Sequence, residues 1–222
     1  MKLRSSGFTL VEIIVVISLV FILALILVGT LGGIRKSSLR VQDAAQLRQI
    51  GVALNLYLTD NNRYLPVCWV GVPINPIIAE KNRFQPLSAH LAEYLGHYAE
   101  RGTRVFVEEF QSPAWGVQYS REEALGLSGW HSTYRLVLGA MGHPNPFGGV
   151  SSAQPMHVEE ALRRYSRCEP TFPVLFNLDS GTGTRVNVGH PEEPFFKNGR
   201  NVLFLDGSVQ FHENKDFLTG MR

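Results

Sequence analysis

Apolar positions along this chain follow three different rhythms. From residue 8 to residue 34 they run almost unbroken, and Glu12 is the one charged residue among them. Wound as a helix at about 1.5 Å per residue, that run is roughly 40 Å long, against about 30 Å for the hydrocarbon core of a bilayer. It predicts a helix that spans a membrane with some tilt. Beyond Ile34 the apolar positions thin to Ala44, Leu47, Ile50, Leu54, Tyr57 and Leu58. Intervals of mostly three and four place them on one stripe of an amphipathic helix. Asp60-Asn61-Asn62, with Pro66 soon after, ends it. The two rhythms together predict one helix of about 50 residues, apolar all round in its first half and one-sided in its second.

The third rhythm is short and broken. Pro66, Pro73, Pro76 and Pro86 mark residues 66–86 as a loop. Residues 87–100 predict a second helix, with Leu87, Leu91, Tyr94, Leu95 and Tyr98 on its buried side. Short strands are predicted at 104–108, 133–138, 174–178 and 185–188, a Gly/Pro loop at 141–150 and a further short helix at 156–167. In residues 201–212, two apolar-rich strands flank Asp206-Gly207, a pair suited to the positive φ of a tight hairpin turn. The fold class these elements imply is α+β: a long N-terminal helix packed on a small antiparallel sheet.

Composition changes this picture little. The 222 residues are 45% hydrophobic with a formal net charge of +2, which argues against a dedicated nucleic-acid binder. A cleaved secretory signal is a rival for the apolar run. Its apolar region, however, spans about 7–15 residues and is followed by the cleavage site. Charge does not orient the span, because Lys2 and Arg4 precede it and Arg35, Lys36, Arg40 and Arg48 follow it. Cys68 and Cys168 form an even pair, compatible with a periplasmic disulfide or with two buried thiols.

The most specific signal is Gly7-Phe8-Thr9-Leu10-Val11-Glu12 after the short basic leader 1–6. It resembles the prepilin cleavage motif of type IV pilins and type II secretion pseudopilins. The resemblance implies that an inner-membrane prepilin peptidase cuts between Gly7 and Phe8 and methylates the new amine of Phe8. It also implies that Glu12 fixes axial register during assembly by pairing with that amine on a neighbouring subunit. Physical chemistry points the same way. A carboxylate at the centre of a membrane helix costs about 2.5–3.5 kcal/mol, less near an end, so an unpaired one calls for a partner. The plainer reading is a Glu12 that snorkels to the headgroups. Gly29, Gly32 and Gly33 permit either a close helix approach or a flexible point, each glycine costing the helix about 1 kcal/mol relative to alanine. The known loosening of pilin helices favours the flexible point.

Residues 47–66 also resemble the corresponding segment of major pseudopilins. The C-terminal hairpin resembles that of a pilin-like group of planctomycete- and verrucomicrobium-type bacteria, marked by a His, nine residues and Asp-Gly. Here Phe196 stands where that His would fall, and His190 is the nearest upstream.

Other constellations are weaker. Leu178-Asp179-Ser180-Gly181-Thr182 resembles an aspartic-protease turn, but such catalysis needs two carboxylates about 3 Å apart and the chain has one copy. His90, Glu93 and His97 share a helix surface at intervals a metal exploits, and a solvated face explains them equally. Arg163, Arg164 and Arg167 offer a basic patch for DNA or lipid, yet Glu159 and Glu160 sit four residues before the first two and favour local ion pairs. Asp179 and Asp206 lack the clustered oxygen ligands of a Ca²⁺ loop. No metal, cofactor or catalytic residue is expected.

The resulting expectation is a leader at 1–7, a transmembrane and assembly helix at 8–34, its amphipathic continuation at 35–62 and a soluble domain at 63–222. The implied protein is a structural filament subunit rather than an enzyme, anchored once in a bacterial inner membrane with its domain in the periplasm. Its implied partners are prepilin peptidase, other pilin or pseudopilin subunits, the assembly machinery and lipid. A periplasmic enzyme on a signal anchor and a membrane-anchored binding module are the rivals.

Overall fold

The computed structural model describes residues 9–68, 76–78, 85–100, 103–113, 134–136, 146–147, 154–164, 172–177, 196 and 199–213. A single helix, α1 (Leu10–Asp60), carries both apolar rhythms through 51 residues. Its backbone is helical through Gly29, Gly32 and Gly33, so those glycines do not interrupt it. Two compact units divide the chain, Met1–Leu39 and Arg40–Arg222, and α1 contributes to both.

In the second unit, Leu47, Ile50, Leu54 and Leu58 of α1 enter a core with Leu87, Leu91, Phe110, Tyr134, Leu175 and Leu203. The stripe expected from the sequence is therefore the buried face. Two polar side chains also lie on the domain side of the helix. Asp43 is fully buried, and half-buried Gln46 donates to the carbonyls of Glu108 (2.7 Å) and Gln111 (3.0 Å).

A four-stranded antiparallel sheet has the order β3 (Tyr134–Leu136), β4 (Pro173–Asn177), β5 (Gly199–Phe204), β6 (Val209–Glu213). β4 and β5 pair through Leu175 with Leu203 and Phe176 with Val202, with a register shift between Pro173 and Leu175. A smaller sheet pairs β1 (Ile77–Ile78) with β2 (Val105–Phe106). The fold is α+β and pilin-like, as the sequence predicts.

The hairpin of β5 and β6 turns on Asp206-Gly207, but only Gly207 has a left-handed φ, of 85°. Gly207 N–H donates to the Phe204 carbonyl (3.0 Å), and the Asp206 carboxylate accepts from Ser208 N–H (2.9 Å). This turn packs on α1 at Gly51. A Cβ there would lie 2.9 Å from Leu203 Cδ1 and 3.2 Å from Gly207 Cα, so the absent side chain admits the turn.

Several elements differ from expectation. The helix predicted over 87–100 is α2 (Leu87–Leu91) followed by a 3₁₀ turn, Glu93–Leu95. Gly96, at φ 81°, stops it by donating to Glu93, and His97 N–H donates back to Ala92. Tyr98 consequently lies in solvent, 71% exposed, and not on a buried face. β1 falls within the proline-rich loop, where two residues give no readable alternation. The helix predicted over 156–167 is α3 (Val158–Arg164) in its described part. The strand predicted over 185–188 lies outside the described residues.

At the end of α1, Asn62 and Arg63 both take positive φ, 50° and 61°. A left-handed Arg costs roughly 1–2 kcal/mol. Hydrogen bonds from Arg63 N–H to Leu58 and from Val158 N–H to Arg63 hold the reversal. It delivers Leu65 and Cys68 into the core.

Candidate functional site

The N-terminal site is built by a local device. Leu10 is the first helical residue, and Thr9 stands as its N-cap. Thr9 Oγ1 accepts from Glu12 N–H (3.3 Å), while Glu12 Oε2 accepts from both Thr9 N–H and Thr9 Oγ1–H (2.9 Å each). This is a reciprocal capping box, and Thr-x-x-Glu is its sequence signature. It satisfies two of the backbone donors that a helix start leaves unpaired. Glu12 Oε1 takes no bond among the described residues. Gly7 and Phe8, the expected cleavage and methylation positions, lie outside the described residues.

From this box the helix runs as bare hydrocarbon. Every residue of Leu10–Leu27 is exposed, and the stretch is long and apolar enough to cross a membrane. Leu10, Ile17, Phe21, Leu25 and Ile26 each expose more than half of their surface. Exposure of apolar surface on this scale marks a site that a membrane or another protein covers.

A second constellation was not singled out from the sequence. The carboxylate of Asp43 accepts four side-chain hydrogen bonds. Oδ1 takes Tyr134 O–H (2.8 Å), Asn177 Nδ2–H (2.9 Å) and the Ser112 hydroxyl, and Oδ2 takes Asn201 Nδ2–H (2.7 Å). β3, β4 and β5 thus each send one donor to a single side chain of α1. The donors are themselves held: Asn177 Oδ1 accepts from Asn201 N–H (3.1 Å), and Asn201 Nδ2 also donates to the Arg40 carbonyl (3.0 Å). Burial pushes the Asp43 carboxyl above its ordinary value, and the four hydrogen bonds pull against that rise. Tyr134 is pushed well above its ordinary value by burial and by the adjacent carboxylate. The signal was present in the sequence, because Asp43, Leu47, Ile50 and Leu54 fall on one helical face. Its four partners were not.

The weaker candidates disperse. His90 contacts the Val67 carbonyl (3.1 Å), His97 pairs with Glu109 (2.8 Å), and Glu93 is exposed. Among the described residues no three His, Cys, Asp or Glu side chains are placed to hold a metal ion. Arg164 pairs with the Glu160 carboxylate, while Arg163 Nε donates to the Glu159 carbonyl (3.4 Å) and not to its carboxylate. Cys68 is a free, fully buried thiol whose pKa burial raises. Its Sγ–H faces the Pro66 carbonyl at 3.6 Å. Arg167, Cys168, Asp179 and His190 lie outside the described residues.

Against known proteins, residues 2–28 match the prokaryotic N-terminal methylation motif. The chain is also similar to the type II secretion system core protein G of Aeromonas hydrophila, 40% identical over 63 residues. That match covers 28% of this chain and 44% of the relative, so the chain spans less than half of the length of the protein it matches. No solved structure matches the chain. In N-terminal motif, apolar helix and α+β architecture, this chain is similar to the pilins and pseudopilins.

Proposed function

We propose that this chain is a structural subunit of a type II secretion pseudopilus or type IV pilus-like filament. A prepilin peptidase cuts it between Gly7 and Phe8 and methylates Phe8. The leader is then residues 1–7, the assembly helix 8–34, its continuation 35–62 and the soluble domain 63–222. Before assembly the helix crosses the inner membrane once, with the domain in the periplasm. Afterwards the same apolar surface packs among other pilin or pseudopilin subunits, added by inner-membrane machinery. The similarity to a type II secretion core protein favours the pseudopilus.

One observation carries this reading: a fully exposed apolar helix, Leu10–Leu27, begins on a capped carboxylate within a methylation motif. The cap accounts for Oε2 of Glu12 and leaves Oε1 for the ammonium that cleavage creates at Phe8. A neighbour's ammonium at Oε1 neutralises a charge otherwise costly in hydrocarbon. Glu12 is therefore assigned two duties, capping its own helix and setting the register of the next subunit.

Co-expression with a prepilin peptidase tests this directly. Mass spectrometry is expected to find a mature chain beginning at methylated Phe8. Recovery of intact Met1 from cells with active peptidase would sink the proposal. The Glu12→Ala chain is expected to be cut but to fail in assembly, and normal filaments from it would remove the register role alone.

A further inference from the structure

Residues 40–46 of α1 are held to the domain in a different way from the rest of the helix. Apolar burial begins at Leu47 and continues through Ile50, Leu54 and Leu58. Among residues 40–46, Asp43 alone is buried; Val41, Gln42 and Ala45 are exposed and Ala44 and Gln46 half-buried. What fastens these two turns is directional. Asp43 takes its four donors, the Arg40 carbonyl accepts from Asn201, Gln46 donates to two carbonyls, and the Arg40 guanidinium lies 4.8 Å above the Phe211 ring. The boundary of the domain unit falls at Arg40, where this fastening starts.

The two kinds of attachment respond differently to water. Hydrogen bonds inside a protein exchange for bonds to water at small net cost, whereas buried hydrocarbon has no such substitute. The Asp43 carboxylate gains most from water, because the donors around it are neutral and its burial leaves it short of solvation. The cluster is complete when closed, with both carboxylate oxygens occupied, so the closed state is a defined one.

We propose that the Asp43 cluster is a polar clasp, able to release residues 40–46 of α1 from the domain while the core from Leu47 onward stays shut. Opening lengthens the stretch of α1 outside the domain by these seven residues, about 10 Å at the helical rise. In a filament subunit the clasp lets the helix leave its domain at either of two points. That consequence rests on the function proposed above, whereas the clasp itself does not.

The test uses the full chain in detergent micelles, with Cys68 and Cys168 replaced by alanine, and needs neither cleavage nor polymerisation. A reporter thiol is placed at Ala44→Cys inside the clasp or at Ala53→Cys in the core, where alanine is 1% exposed. Maleimide labelling is timed with Asp43 intact, with Asp43→Asn, which sets an amide N–H against that of Asn201, and with Asn201→Ala. Both variants are expected to speed labelling at position 44 by roughly tenfold or more, as for loss of a hydrogen bond to a buried charge, and to leave position 53 protected. Unchanged labelling at position 44 in both variants overturns the clasp. Equal acceleration at both positions also overturns it, because the cluster then holds the whole domain and not two turns of helix.

Discussion

Two carboxylates on one helix meet the same problem in opposite ways. Glu12 stands in the bare apolar stretch and is bonded, at Oε2, by Thr9, three residues away in its own chain. Asp43 stands in the domain-packed stretch and is satisfied by Ser112, Tyr134, Asn177 and Asn201, between 69 and 158 residues away. The first arrangement exists as soon as the helix starts. The second exists only when the sheet has formed and come to rest on the helix. A local solution leaves the surface free for partners, and a tertiary one commits the surface to its own domain. The comparison separates a stretch of α1 whose apolar surface is left exposed from one whose apolar surface is buried in the domain.

The largest test of this contrast is stability. Asp43→Leu removes the acceptor shared by Ser112, Tyr134, Asn177 and Asn201, and is expected to cost about 3 kcal/mol in urea unfolding followed by near-ultraviolet circular dichroism. Equal loss from Glu12→Leu would erase the distinction between the two sites.

A smaller effect separates them by pH. Because burial raises the Asp43 carboxyl above its ordinary value of 3.8, the folded domain binds that proton more tightly than the unfolded chain does. The stability this contributes is present below 3.8 and is lost as pH rises through the higher folded value. The intact domain is therefore expected to gain in urea midpoint relative to Asp43→Asn as pH falls from neutral towards 4. Parallel midpoint profiles for the two proteins would contradict the assigned direction.

The smallest effect is at the other carboxylate. Thr9→Val deletes the hydroxyl that makes two of the three hydrogen bonds of the cap and is expected to cost about 1 kcal/mol, confined to the first turn. Hydrogen exchange should quicken at Val11, Glu12 and Ile13 with no change at Leu47 or Ile50. Spread of the effect into the domain would show the two halves of α1 to be coupled.

Legibility in the sequence followed the range of each interaction. The long helix was readable because its apolar run and its stripe each repeat over many residues. The hairpin was readable because Gly207 supplies locally the φ that the turn requires. Gly96 was as plain, and reading the apolar spacing across it produced a helix that ends too late. Thr9-Leu10-Val11-Glu12 spells a capping box, although from the sequence Glu12 reads only as a residue of processing, assembly register or snorkelling. The two-residue strands Ile77–Ile78 and Val105–Phe106 are too short to impose a pattern, and β1 exists only because β2 lies beside it.

By itself, the sequence determined what short-range chemistry settles: the apolar helix, its N-cap, its stop at Asp60-Asn61-Asn62 and the match to an N-terminal methylation motif. The fate of Asp43 was decided only by tertiary structure. Its position on the apolar face was written in the spacing, but nothing nearby in sequence shows which groups repay its desolvation. Three strands and the loop residue Ser112 had to converge on it first, because a buried charge is stabilised by geometry that distant residues supply together.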